Sequence, residues 1–129
     1  MAKTPSYSEI HREHSTWLNT LNFYHDEIKY YQTKLAEVAA KHQYDQVHKK
    51  ILDYKNSFFD ILKDLDELRY KIYKHEHELE NLEELSQRTK GIRINEAHDQ
   101  QRKDIAEFEE RYKVLKNDFN ELLKQEEIE

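Results

Sequence analysis

The 129-residue chain has no cysteine and only one glycine and one proline. Without cysteine there is no disulfide framework, no thiolate zinc site and no thiol nucleophile, which suits a reducing compartment. With so little glycine and proline, the many tight turns of a β-sandwich or barrel are excluded, and a glycine-rich phosphate loop cannot form. Long apolar runs are also missing: MAKTPSYSEIHREH has no signal-peptide core, and no stretch is long enough to cross a bilayer, so a cytoplasmic address is expected. The net charge of −6, with acids outnumbering bases toward the C-terminus, argues against nucleic acid or a membrane as partner. Lys49-Lys50 and the Arg88, Lys90, Arg93 cluster are too small to reverse that field, and a basic helix end accounts for the latter.

A mean hydropathy of −1.14 with 37% charged residues could describe a disordered chain, yet 12% are aromatic and they recur at regular spacing. Ser6-Tyr7-Ser8-Glu9 after Pro5 forms a capping box, so the first helix should begin near residue 6. From there Tyr7, Ile10, His14, Trp17, Leu21, Tyr24, Ile28, Tyr31, Leu35 and Val38 alternate in steps of three and four, a heptad stripe. The phase breaks around His42-Gln43-Tyr44-Asp45, where a short antiparallel turn is the simplest solution and Asp45 can open the next helix. A second stripe runs from Tyr44 to Leu82 with no breaker before Gly91, which predicts a helix over 44–89, roughly 70 Å long at about 1.5 Å per residue. Arg88 and Lys90 before Gly91 have the form of a basic last turn and its terminating glycine. The third stripe, Ile94, His98, Gln101, Ile105, Phe108, Tyr112, Leu115, Phe119 and Leu122, predicts a helix over 94–127.

These three stripes predict one all-α domain over residues 1–129, an antiparallel bundle of three long helices with coiled-coil-like seams. A break near Leu65, between Asp64 and Asp66, would instead give four helices. The aromatic seam with Trp17-Leu18 in the first helix resembles the spectrin-repeat arrangement of three antiparallel helices, although the second helix is longer here. Folding about residue 42 and about Gly91 staggers the helices, leaving residues 44–56 covered by the first helix alone. Leu52, Phe59 and Leu62 widen the second stripe in and just beyond that region, and Phe23 and Tyr30 lie off the seam of the first helix. The expectation is that these five residues bind a second copy or another helical protein; a wider packing face within one chain is the alternative.

Eight histidines are the compositional oddity. Carboxylate-bridged bundles need Glu-x-x-His on two helices, and no histidine here has Glu three residues before it; only Asp45 and His48 share that spacing. Nor is any histidine followed at i+4 by a good ligand, so the strong helical metal motifs are absent. A looser constellation remains, in which His11 and His14 share a face, His75 is followed by Glu78, and the register brings both pairs to one level, a set able to hold Zn²⁺ or another divalent ion. Alternatively, His14, His75 and His98 are polar interruptions that set register, and their protonation near pH 6 would make the bundle pH-sensitive. No catalytic motif and no cofactor motif is present, so an enzyme is not expected. Two function classes follow: a non-enzymatic interaction protein, favoured at this level, and a metal-binding or pH-responsive bundle.

Overall fold

The computed structural model describes the backbone of residues 7–82 and 88–128, and the side chains of 8–79 and 96–126. Three helices pack against one another: α1 (Tyr7–Lys41), α2 (Gln46–Leu82) and α3 (Arg88–Ile128). No strand occurs among the described residues, and none of their helices is long and apolar enough to cross a membrane. The all-α three-helix bundle expected from the stripes is what forms.

Each stripe becomes a seam because steps of three and four keep one face of a helix turned inward. Leu21, Ile28 and Leu35 of α1, Phe58, Leu65 and Ile72 of α2, and Ile105, Phe108, Tyr112 and Phe119 of α3 are buried in one continuous core. Phe119 meets Phe58 and Tyr54 edge-on at 5.1 and 5.3 Å between centroids, and Tyr31 stacks on Phe58 at 5.9 Å. Tyr112 is buried with its hydroxyl donating to Glu27 at 2.6 Å, and Lys116 also reaches that carboxylate. Burial first, then the Glu27 charge, push the Tyr112 phenol well above its ordinary range, so the group stays a donor.

The connection between α1 and α2 is made as the sequence suggests, since the Asp45 carboxylate accepts from the Val47 N–H at 3.0 Å and so caps α2. The second helix therefore starts at Gln46, and Tyr44, expected on its stripe, is 97% exposed. It runs unbroken through Leu65, so the four-helix alternative does not occur.

Two expectations need correction. Gly91 does not end a helix; it lies inside α3, which begins at Arg88, and the described part of α2 ends at Leu82. One glycine costs a helix about 1 kcal/mol, which a 41-residue helix with buried residues from His98 to Leu122 absorbs. With α3 beginning at Arg88 rather than near residue 94, α3 pairs with α2 about two turns away from the expected register, and His75 meets His98 and Gln101 rather than Phe108. The stagger accordingly disappears at the α1–α2 connection: Tyr54 packs on Phe119, and His42 reaches Glu126 near the end of α3. Residues 44–56 are not left to the first helix alone.

Candidate metal centre

One level of the core is polar. His14 of α1, His75 of α2 and His98 and Gln101 of α3 are all buried, and each occupies a seam position where the levels below carry leucine, isoleucine or an aromatic ring. The three imidazoles present ring nitrogens within 4.8 Å of one another. Apolar groups close the level on both sides along the bundle axis, Ile10 with Leu79 on one and Leu21, Ile72 and Ile105 on the other.

Carboxylates at the rim fix which nitrogen of each ring faces inward. His14 Nδ1–H donates to Glu76 at 2.5 Å, which in the neutral ring leaves a lone pair on Nε2. His98 Nε2–H donates to Glu13, leaving the lone pair on Nδ1. These two inward nitrogens stand 3.2 Å apart. The Gln101 side chain donates through its Nε2 to the Lys71 carbonyl at 3.1 Å, which turns its Oε1 inward, 3.1 Å from His14 Nε2 and 3.0 Å from His75 Nδ1. His75 Nδ1 is in turn 3.2 Å from His14 Nε2. Four heteroatoms therefore converge, and the only hydrogen available among the neutral groups is one on His75 Nδ1. Two or three lone pairs are left pointing at one another, an arrangement that needs a cation or an added proton between them.

Burial disfavours the proton. Desolvation is the largest influence on both His75 and His98 and holds their pKa values below the ordinary imidazole value, in spite of the Gln101 and Glu13 hydrogen bonds. At the rim the balance is reversed: burial works to raise Glu13 and Glu76, but hydrogen bonds from Arg102 and His98 to the first, and from His11 and His14 to the second, keep both carboxyls below their usual range. Carboxylates thus sit one bond outside His14 and His98. His75 Nε2 is the one buried side-chain atom among the described residues with no partner.

Metal–nitrogen distances of about 2.0–2.1 Å place neighbouring ligand atoms of a four-coordinate ion about 3.3 Å apart, and four of the six separations among these atoms, at 3.0–3.2 Å, are close to that. Carboxylates that hold the outer N–H of ligating imidazoles are the usual second layer of such centres.

Of the residues expected from sequence to bind metal, His14 and His75 meet at the core. His11 is displaced outward, 68% exposed, and touches the cluster only through Glu76, to which it donates at 2.7 Å. Glu78 is exposed and acts on His75 only through its charge. The carboxylate that reaches the site is Glu76, on the side of α2 that leans toward α1, one heptad beyond Arg69, which bonds Asn22 of α1. Glu13, Glu76 and the place of His98 and Gln101 in the cluster were missed. The phase of His98 and Gln101 on the third stripe was visible, as was the 14-residue interval from Glu13 to Glu27, both of which reach from α1 to α3.

The expected partner-binding residues fall on two different faces. Phe59 is 65% exposed and lines, with Leu62 and Tyr70, a shallow groove of about 420 Å³ along α2. Leu52 is exposed, while Leu62 is half-buried against the core. Phe23 and Tyr30 are exposed on α1, and Tyr30 lines a separate groove with α3 residues Asn117, Asn120 and Lys124.

Comparison of the chain with protein families, with curated proteins and with solved structures gives no match.

Proposed function

We propose that this chain is a metal-binding helical bundle that holds one divalent transition ion, Zn²⁺ first among them, on His14 Nε2, His75 Nδ1, His98 Nδ1 and Gln101 Oε1. The observation that carries this reading is the inward-facing lone pairs of His14 and His98, 3.2 Å apart and each fixed by a carboxylate on the far side of its ring. Imidazole nitrogens suit Zn²⁺, Cu²⁺, Ni²⁺ and Co²⁺, and a set of four nitrogen and oxygen donors favours zinc among them. A four-ligand centre buried between three helices has no open coordination position, so the ion's role is to fix the bundle rather than to activate a substrate. Imidazole and amide ligands without thiolates are compatible with a cytosolic setting.

The test is equilibrium binding of Zn²⁺ to chelator-treated protein, with metal content read by mass spectrometry. One ion per chain is expected, abolished in His14→Ala, His75→Ala and His98→Ala and retained in Glu78→Ala. No uptake at micromolar zinc, or uptake that survives loss of His98, overturns the reading.

The interaction role is a second reading, favoured by Phe59, Leu52 and Tyr70 standing exposed along one face of α2. A self-associating protein would run as a dimer in light scattering coupled to size exclusion, and Leu52→Glu with Phe59→Glu would return it to a monomer. A wild-type monomer at high micromolar concentration removes self-association.

A further inference from the structure

A buried ion site needs a way in, and the three clefts around the histidine level are not equivalent. The α2–α3 cleft is closed by Gln101, whose amide is anchored on the Lys71 carbonyl at 3.1 Å. The α1–α3 cleft is closed twice. Trp17 stacks on the His98 ring at 4.8 Å and 25°, and Arg102 grips the Glu13 carboxylate with two nitrogens at 2.7 and 3.2 Å. Arg102 also places a fixed positive charge on that side, which repels an approaching cation.

The α1–α2 cleft differs in every respect. Its outermost group is His11, a surface imidazole, 68% exposed, bonded to Glu76. Glu76 has one oxygen on His11 at 2.7 Å and the other on His14 at 2.5 Å, so a single carboxylate joins the surface ring to the buried one. A cation arriving here meets a carboxylate oxygen and a surface imidazole, both good ligands for a borderline metal.

We propose that His11 and Glu76 form the admission port for the metal: the ion is first held between the His11 imidazole and the Glu76 carboxylate, then passes inward as His14 turns to receive it, while the Arg102 side stays shut. This rests on the metal-binding reading above and assigns His11 a kinetic role outside the final coordination set. A port accelerates arrival and departure alike, so removing it slows both rates and leaves affinity nearly unchanged.

Trp17 is the only tryptophan and lies against both His98 and His14, so its fluorescence reports the site directly. Metal-free protein is mixed with Co²⁺ or Zn²⁺ in a stopped-flow instrument, and release is followed after mixing the loaded protein with excess chelator. In His11→Ala the association and release rates should both fall by about tenfold, with equilibrium affinity within about threefold of wild type; steering of charged ligands spans effects of this size. Arg102→Ala should leave association as fast as wild type or faster. Unchanged rates in His11→Ala overturn the port while leaving the site in place. So does a loss of affinity arising from faster release alone, which would make His11 a ligand. Absence of binding by the wild-type protein overturns both the port and the site, and the equilibrium titration separates that outcome from the others.

Discussion

The bundle holds two histidine clusters whose surroundings push them in opposite directions. In the core layer, burial keeps His75 and His98 neutral, with carboxylates one bond away at the rim. At the α1–α2 connection, His42 lies between Asp45 at 2.6 Å and Glu126 at 2.9 Å, and donates from both ring nitrogens. The hydrogen bond to Asp45, then that to Glu126, raise its pKa above the ordinary value, so the ring carries charge and clasps the end of α3 to the turn. The same side chain is thus held neutral in one place and made a cationic clip in the other. What separates them is burial first, and then the carboxylates, two on the His42 ring, one on His98 and none on His75.

The largest expected effect sharpens that comparison. Zinc at a thousandfold over its dissociation constant should stabilise the wild-type protein by about 4 kcal/mol, since an ion bound only by the native state adds its binding free energy to folding. His14→Ala should erase the rise in Tm and His42→Gln should preserve it; a zinc response that depends on His42 would place the ion at the wrong cluster.

A smaller effect distinguishes a ligand layer from a structural one. Replacing His14, His75, His98 and Gln101 together by leucine should leave the metal-free bundle as stable as wild type or more stable, by up to about 1–4 kcal/mol, because buried polar groups with unmatched lone pairs are exchanged for packed apolar ones. Chemical denaturation measures this. A marked loss of stability would mean that the layer is there for the fold.

The smallest effect is on the pH profile of metal-free protein. His75 and His98 have folded pKa values below 6.5, so the unfolded chain binds protons first as pH falls; their contribution is complete above 6.5 and is lost as pH drops through the lower folded values. His42 has a folded value above 6.5, so its contribution is complete below 6.5 and is lost as pH rises through that raised value. Around the core layer the charges that could modify this are Glu13, Glu76, Glu78, His11 and Arg102, and at the clasp Asp45, Glu126 and His48. Melting followed by circular dichroism from pH 5 to 8.5 should fall at both ends. The leucine layer should flatten the acid side and His42→Gln the alkaline side; one variant flattening both would dissolve the distinction.

Much of this was legible in the amino-acid order, and the failures share a cause. Periodicity specifies which face of each helix turns inward, so His14, His75, His98 and Gln101 could be placed on seams and the three helices counted. It does not specify how far one helix slides along another. That depends on where the chain reverses, and Gly91, read as a stop, lies within α3. A displacement of about two turns between α2 and α3 was enough to drop His98 and Gln101 from the expected ligand set and to create an overhang that the contact between His42 and Glu126 removes. Choosing Glu78 over Glu76 had a different origin. Spacing from His75 within α2 favoured Glu78, whereas Glu76 is selected by its lean toward α1, a property of the pair of helices.

The three imidazoles come from helices far apart along the chain: His14 and His75 are separated by 61 residues, His14 and His98 by 84. An ion joining them would close two very long loops at once, and the entropy removed from the unfolded chain by such closure grows with loop length. In a protein without cysteine this makes the histidine layer the counterpart of a pair of disulfides, reversible by a chelator instead of a reductant. It also makes the layer a topological checkpoint, since no single helix and no hairpin of two contains the full set of ligands, and only a chain with all three helices docked can close the knot.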